Sequence, residues 1–155
     1  MRTMKLTDLS PQFIRYETRV ETYPVVDGDP ETWRERGCPT KDKTGPRVYR
    51  HHVDSLEQAQ GITFLCPKCF AANIAKVDPE LKGADALEAA GVGIHSVEVT
   101  FSGRGALDNE GTQRKTGPVR WDVSGTGYSD LTTKPSILLL CGCEWHGYIT
   151  NGEIT

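Results

Sequence analysis

The sequence predicts a β-rich α+β fold, built from small antiparallel sheets with one main helix. Three observations point there. Apolar residues recur mostly at every second position, 16 glycines and 9 prolines punctuate the chain, and a single stretch carries sustained helical spacing. In order along the chain, residues 12–26 alternate Phe, Tyr and Thr with charged side chains, the pattern of a strand or hairpin with one exposed face. Asp27-Gly28-Asp29-Pro30 is turn chemistry. Ser55–Gln60 reads as one or two helical turns capped by Asp54 or Ser55, and Ile62–Leu65 as a short strand after Gly61. Pro79–Ala90 is the expected main helix, with Pro79 in the first turn, Leu81, Ala84 and Leu87 at helical spacing and Gly91 as the stop. Ile94–Phe101 alternates as a strand. Ser102–Pro118 is expected to be a mobile loop, and Val119–Val123 another strand. Ile137–Leu140 reads as a buried strand, and His146–Thr150, Asn151-Gly152 and Glu153–Thr155 as a hairpin. Asn-Gly suits its tight turn because both central residues need positive φ.

Two cysteine clusters carry the chemistry: Cys66-Pro67-Lys68-Cys69 and Cys141-Gly142-Cys143-Glu144-Trp145-His146. A gap of two residues lets both ligand atoms of a pair face one side of a turn, and a tetrahedral zinc site joins two such turns. Cys66 and Cys69 meet that spacing, as do Cys143 and His146. The expected ligand set is therefore Cys66, Cys69, Cys143 and His146, with Cys141 as the alternate to His146. Four protein ligands leave no place for a water, so the Zn2+ is expected to be structural, at a zinc-ribbon centre. The deaminase arrangement of His-x-Glu ahead of Pro-Cys-x-x-Cys is absent, since His95 and Glu98 follow the cysteine pair with another spacing.

The chain has 155 residues, the size of one domain that buries about two thirds of its unfolded surface. The expected organisation is one zinc-binding domain, with an irregular or β N-terminal arm over 1–55 and the zinc-ribbon core over 56–155. A net charge of −3 argues against a surface dominated by nucleic-acid binding. No apolar run reaches bilayer length and the first residues lack a signal peptide's apolar stretch. A cytoplasmic protein without a membrane partner is expected, in which five cysteines serve as ligands or spare thiols rather than as disulfides.

The remaining motifs favour plainer readings. Residues 34–52 carry Arg34, Arg36, Lys41, Lys43, Arg47 and Arg50 against Glu35 and Asp42, a local net of +4. With Trp33 and Tyr49 beside them, these cations could follow a nucleic-acid backbone, although a solvated loop is the simpler expectation. His51 and His52 read as an exposed strand end, His95 as a satisfied strand histidine and Cys38 as a spare thiol. Ser102-Gly103-Arg104-Gly105 and Ser124-Gly125-Thr126-Gly127 lack a P-loop lysine and read as turns.

Gly61–Phe70, Arg120–Gly127, Asp130-Leu131-Thr132, Pro135-Ser136-Ile137 and Gly142–Ile149 together resemble phage and prophage zinc-ribbon proteins of a domain-of-unknown-function family. The resemblance covers residues 61–70 and 118–155, is loose over 71–117 and does not extend to the first fifty. It implies zinc held by Cys66, Cys69, Cys143 and His146 and a phage context without a defined reaction. Cys141 departs from its pattern. The sequence thus leads to a non-enzymatic, phage-encoded accessory protein that presents a surface to a phage or host protein. A nucleic-acid-binding zinc ribbon using 34–52 is the alternative. A metal-dependent hydrolase using His51, His52 and His95 is a more distant one.

Overall fold

The structure is a computed structural model that describes residues 4–26, 37, 40–74, 80, 85, 88, 89, 94–140 and 142–155. The chain divides into two compact units, one made of Met1–Tyr16 with Arg50–Thr155 and the other of Glu17–Tyr49. Residues on both sides of the hairpin belong to the larger unit.

The larger unit is β-rich, as the sequence predicts, and its sheets are small. β1 (Met4–Lys5) is followed by a 3-10 turn over Leu6–Leu9, then by β2 (Gln12–Val26) and β3 (Thr40–Val53). β4 (Gly61–Leu65) and β5 (Ser96–Thr100) complete a four-stranded sheet of order β3-β2-β4-β5. β4 pairs antiparallel with both neighbours, Phe13 lying opposite Ile62 and Leu65 opposite Ser96. Period-two alternation turns Val97 and Val99 inward with Ile62 and Phe64, all at most 1% exposed.

Of the two alternatives for the N-terminal residues, irregular or β, the described ones take the second. β1 pairs with the C-terminal strand, Met4 opposite Ile154. Leu6, Leu9 and Phe13 lie in the same buried cluster as Ile62, Phe64, Val99, Trp121 and Trp145. Apolar area drives this. Leu6 and Leu9 are three apart in one tight turn, so both point into the core, and neither is exposed at all.

Beyond β5 come the short pairs β6 (Gln113–Arg114) with β7 (Gly117–Pro118) and β8 (Asp122–Ser124) with β9 (Thr132–Lys134). The segment expected to be a mobile loop is cross-linked internally. The Arg120 guanidinium donates to the carbonyls of Leu107, Glu110, Thr112 and Val119 at 2.7–3.1 Å. A planar fork with five N–H groups can gather several carbonyls in this way without a carboxylate partner.

β10 (Ile137–Leu138) pairs with β11 (His146–Gly147), and β12 (Ile149–Thr150) with β13 (Glu153–Ile154). The closing turn is as predicted, with Asn151 at φ 50° and Gly152 at φ 76°. Ile137–Leu140 is shorter and less buried than its apolar run suggests: Ile137 is 2% exposed, but Leu138 is 40% and Leu140 64%. The α-helix within the described residues is α1 (Pro67–Ile74), a segment the sequence reading treated as a cysteine turn. The helix expected over 79–90 falls almost wholly outside the described residues. Of it, Asp85, Glu88 and Ala89 are helical and Glu80 is in a turn.

Candidate metal centre

β4 ends at Leu65 and the chain turns at once into α1. Pro67 takes the first helical position, where its missing N–H costs nothing. The Cys66 carbonyl accepts the first helical hydrogen bond, from Phe70 N–H at 2.9 Å. This strand-to-helix junction puts Cys66 just before α1 and Cys69 in its first turn. The N–H groups of Cys69 and Lys68 are thereby aimed at the Cys66 sulfur, where they favour the thiolate a metal needs.

The third side chain comes from the neighbouring strand. Antiparallel pairing sets Leu65 opposite Ser96, and one step further the Cys66 N–H donates to the His95 carbonyl at 3.0 Å. His95 Nε2 then lies 3.5 Å from Cys69 Sγ and 3.4 Å from Cys143 Sγ. Cys143 is delivered by the turn between β10 and β11, its sulfur 3.3 Å from Cys66 Sγ. Lys68 Nζ donates to the Cys143 carbonyl at 2.8 Å and holds that turn against α1.

Cys66, Cys69, His95 and Cys143 place their four ligand atoms within 4.8 Å of one another, a group that could hold a metal ion. A tetrahedron with metal–sulfur bonds of about 2.3 Å and a metal–nitrogen bond of about 2.0–2.1 Å has edges of roughly 3.6–3.8 Å. Three of the six edges here are 3.3–3.5 Å. Cys66 is buried, Cys69 and Cys143 are half-buried and His95 is exposed, so a cation could enter from the side of the imidazole.

The electrostatics of the sulfurs are uneven. Burial pushes the Cys66 thiol well up, helped by the neighbouring sulfurs and opposed by the two amides. At Cys143 burial also raises the pKa. Hydrogen bonds from the Cys66 thiol, the Trp145 N–H, His95 and Cys69 outweigh it, and the net effect is downward. Of this coupled pair, Cys143 is the more readily ionised sulfur.

Three of the four expected ligands are thus brought together, and the fourth is different. His146 is not in the group. Its Nε2 lies 2.9 Å from Ser136 Oγ, and its ring stacks near Tyr148. In β11, His146 points away from the inward-facing Trp145, which is 7% exposed. Cys143, three residues earlier, sits in the turn. The two-residue spacing that pairs Cys66 with Cys69 works on a helix start but does not carry over to a turn leading into a strand. Cys141, the alternate ligand, lies outside the described residues.

Nothing in the residues next to His95 marks it as a ligand. Pairing the two predicted strands in register would have set it beside Cys66. His51 and His52, the other hydrolase candidates, are exposed on β3 and do not belong to the group.

The other candidate sites resolve into contacts within the protein. In the Ser124–Gly127 turn the Asp130 carboxylate accepts hydrogen bonds from the Thr126 and Gly127 N–H groups at 2.9–3.0 Å and from Thr126 Oγ1 at 2.9 Å. Amides that could cradle a phosphate already hold a carboxylate, and they lower the Asp130 pKa. Of the basic stretch, Arg34 and Arg36 lie outside the described residues, and Lys41 and Lys43 are exposed on β3. Arg47 lies 3.6 Å from Glu21 and over the rings of Tyr23 and Tyr49. Arg50 is paired through two nitrogens with Glu98. Among the described residues no helix is long and apolar enough to cross a membrane.

No protein-family model, curated protein or solved structure matches the chain.

Proposed function

We propose that this chain is a phage-encoded, non-enzymatic accessory protein in which a structural Zn2+ ties the larger unit together and the rest of the surface serves a protein partner, phage or host, in the host cytoplasm. The convergence of Cys66, Cys69, His95 and Cys143 on one point carries this reading. Three soft sulfurs and one imidazole suit zinc, and four protein ligands fill a tetrahedron. Such a centre has no position for a substrate or an activated water, so its contribution is to folding. The residues over 61–70 and 118–155 that resemble phage zinc-ribbon proteins support the context.

The nucleic-acid reading is weaker. Arg47 and Arg50 stand beside carboxylates, and the Glu17–Tyr49 unit as a whole carries six basic against seven acidic side chains, a net of −1. Cations already paired with carboxylates or laid over tyrosine rings are a poor phosphate track.

The test is affinity capture of the full chain from infected cells at 0.1 M and again at roughly 0.5 M salt, with metal measured on the same sample; at the higher value screening has removed most phosphate contacts. The expected result is one zinc per chain and a protein that remains bound at the higher salt. Capture of nucleic acid alone, lost at the higher salt, would overturn the proposal, and so would a folded chain free of zinc.

A further inference from the structure

Two of the four donor side chains face each other but differ in their access to solvent. Cys66 is 0% exposed, sealed at the strand-to-helix junction, whereas Cys143 is half-buried on the turn between β10 and β11. Their sulfurs lie 3.3 Å apart, roughly 1.2 Å beyond a disulfide bond. The turn that carries Cys143 is able to close that gap. Gly142 at φ 72° and Glu144 at φ 55° flank the cysteine, and none of the three belongs to a strand. The Cys143 carbonyl is held at 2.8 Å by Lys68 Nζ, at the end of a flexible four-carbon stem that can follow a small shift.

We propose that the metal centre is also a peroxide-responsive switch: a hydroperoxide oxidises Cys143, Cys66 completes a disulfide, and the cluster gives up its ion while the chain stays folded. This deepens the proposed function by naming how the zinc centre is regulated, and it rests on that reading. Sulfurs that hold a cation are thiolates. The Cys143 sulfur attacks an oxygen of hydrogen peroxide, the O–O bond breaks, a sulfenic acid forms and hydroxide leaves. The Cys66 sulfur then attacks that of Cys143. The S–S bond forms, the S–OH bond breaks and a second hydroxide leaves. The two sulfurs lose two electrons and one peroxide gains them, while two protons from solvent turn both hydroxides into water. Access sets the order, because an oxidant meets the half-buried sulfur first and the sealed one resolves it.

Oxidation leaves Cys69 and His95 as the remaining donors, fewer than the three or four protein ligands of a zinc site. The fold nevertheless keeps its closure. The new bond joins the start of α1 to the β10–β11 turn across 76 intervening residues, the same two places that the cluster brings together. Cross-linking so long a loop lowers the entropy of the unfolded chain, and Cys66 stays within the apolar cluster of Ile62, Phe64, Phe70 and Trp145. Loss of the ion by oxidation therefore differs from loss by chelation, which removes the tie and puts nothing in its place. A dithiol reverses the change by exchange: its two sulfurs become the disulfide as the two cysteines regain their thiols. Disulfides of a reducing cytoplasm are of this transient, redox-sensing kind.

The test treats the full zinc-loaded chain with hydrogen peroxide, follows released zinc with a chromophoric chelator and maps the disulfides by peptide mass spectrometry with fragmentation. The expected result is one zinc released for each Cys66–Cys143 bond formed, with unchanged far-ultraviolet circular dichroism and full recovery of zinc binding after dithiothreitol. The oxidised chain should also melt above an unoxidised chain stripped by a chelator. Zinc retained under peroxide overturns the inference. So does release with a sulfinic acid and no bridge, a bridge from Cys66 to Cys69 or Cys141, or unfolding on oxidation. In each of these cases a chain that held zinc beforehand leaves the proposed function standing. A chain that takes up no zinc at all overturns that reading and the switch with it.

Discussion

Two histidines with nearly the same claim to a metal differ in what their backbone does. His146 sits three residues beyond Cys143, yet it lies on a strand and its Nε2 meets Ser136. His95 lies in no recognisable motif, but its carbonyl is bonded to the Cys66 N–H, and its imidazole is therefore held at the cysteine junction. The consequence is measurable by competition with a chromophoric chelator. His95→Ala should weaken zinc binding by more than the roughly 10–100-fold that loss of a supporting residue costs. His146→Ala should leave affinity where it was. Equal effects from the two substitutions would mean that His146 is a ligand. The sulfurs were legible in the sequence because local spacing places them. The imidazole was not, since its position depends on pairing β4 with β5, a contact between residues about thirty apart.

At the scale of elements, the first turn of the chain is structural. Leu9 is fully buried and belongs to the same cluster as Phe13 and Trp121. Leu9→Ala should cost about 2–5 kcal/mol, read from the midpoint of urea denaturation. An irregular arm would lose almost nothing on the same change, so a shift near zero would return residues 4–9 to that role. The closing hairpin and the strand at 61–65 were legible because Asn151-Gly152 and the alternation at 62–65 are local signals. β3 was not. Its Lys, Arg and His residues suit an exposed ribbon, whose faces need not alternate apolar with polar because neither covers a core. α1 was hidden by its own cysteines. Eight residues beginning Pro-Lys-Cys are too short for a helical period to emerge, and a two-residue spacing of cysteines equally suits a turn.

For the molecule as a whole, the four side chains that could hold a metal come from three parts of the chain, and 73 residues separate Cys69 from Cys143. Closing a loop of that size in the unfolded chain is entropically unfavourable, and an ion held by the four side chains would make the folded state the one that keeps it. At free zinc about a hundred times its dissociation constant, binding contributes about 2.7 kcal/mol. That corresponds to about 5–10 °C in melting temperature for a unit of this size. Removing the ion with a strong chelator should lower the midpoint by that amount, and amide exchange should accelerate first around residues 66–70, 95–100 and 143–147. Identical melting curves with and without chelator would show that the fold does not depend on the ion.

Cys69 and His95 also stand at the two ends of one stretch of chain, with 25 residues between them and 3.5 Å between their ligand atoms. Both ends of whatever joins them are moored to the same point. A change of length between α1 and β5 should therefore leave both anchor points in place. For anyone wishing to graft a tag or a foreign loop into this protein, it is the natural berth.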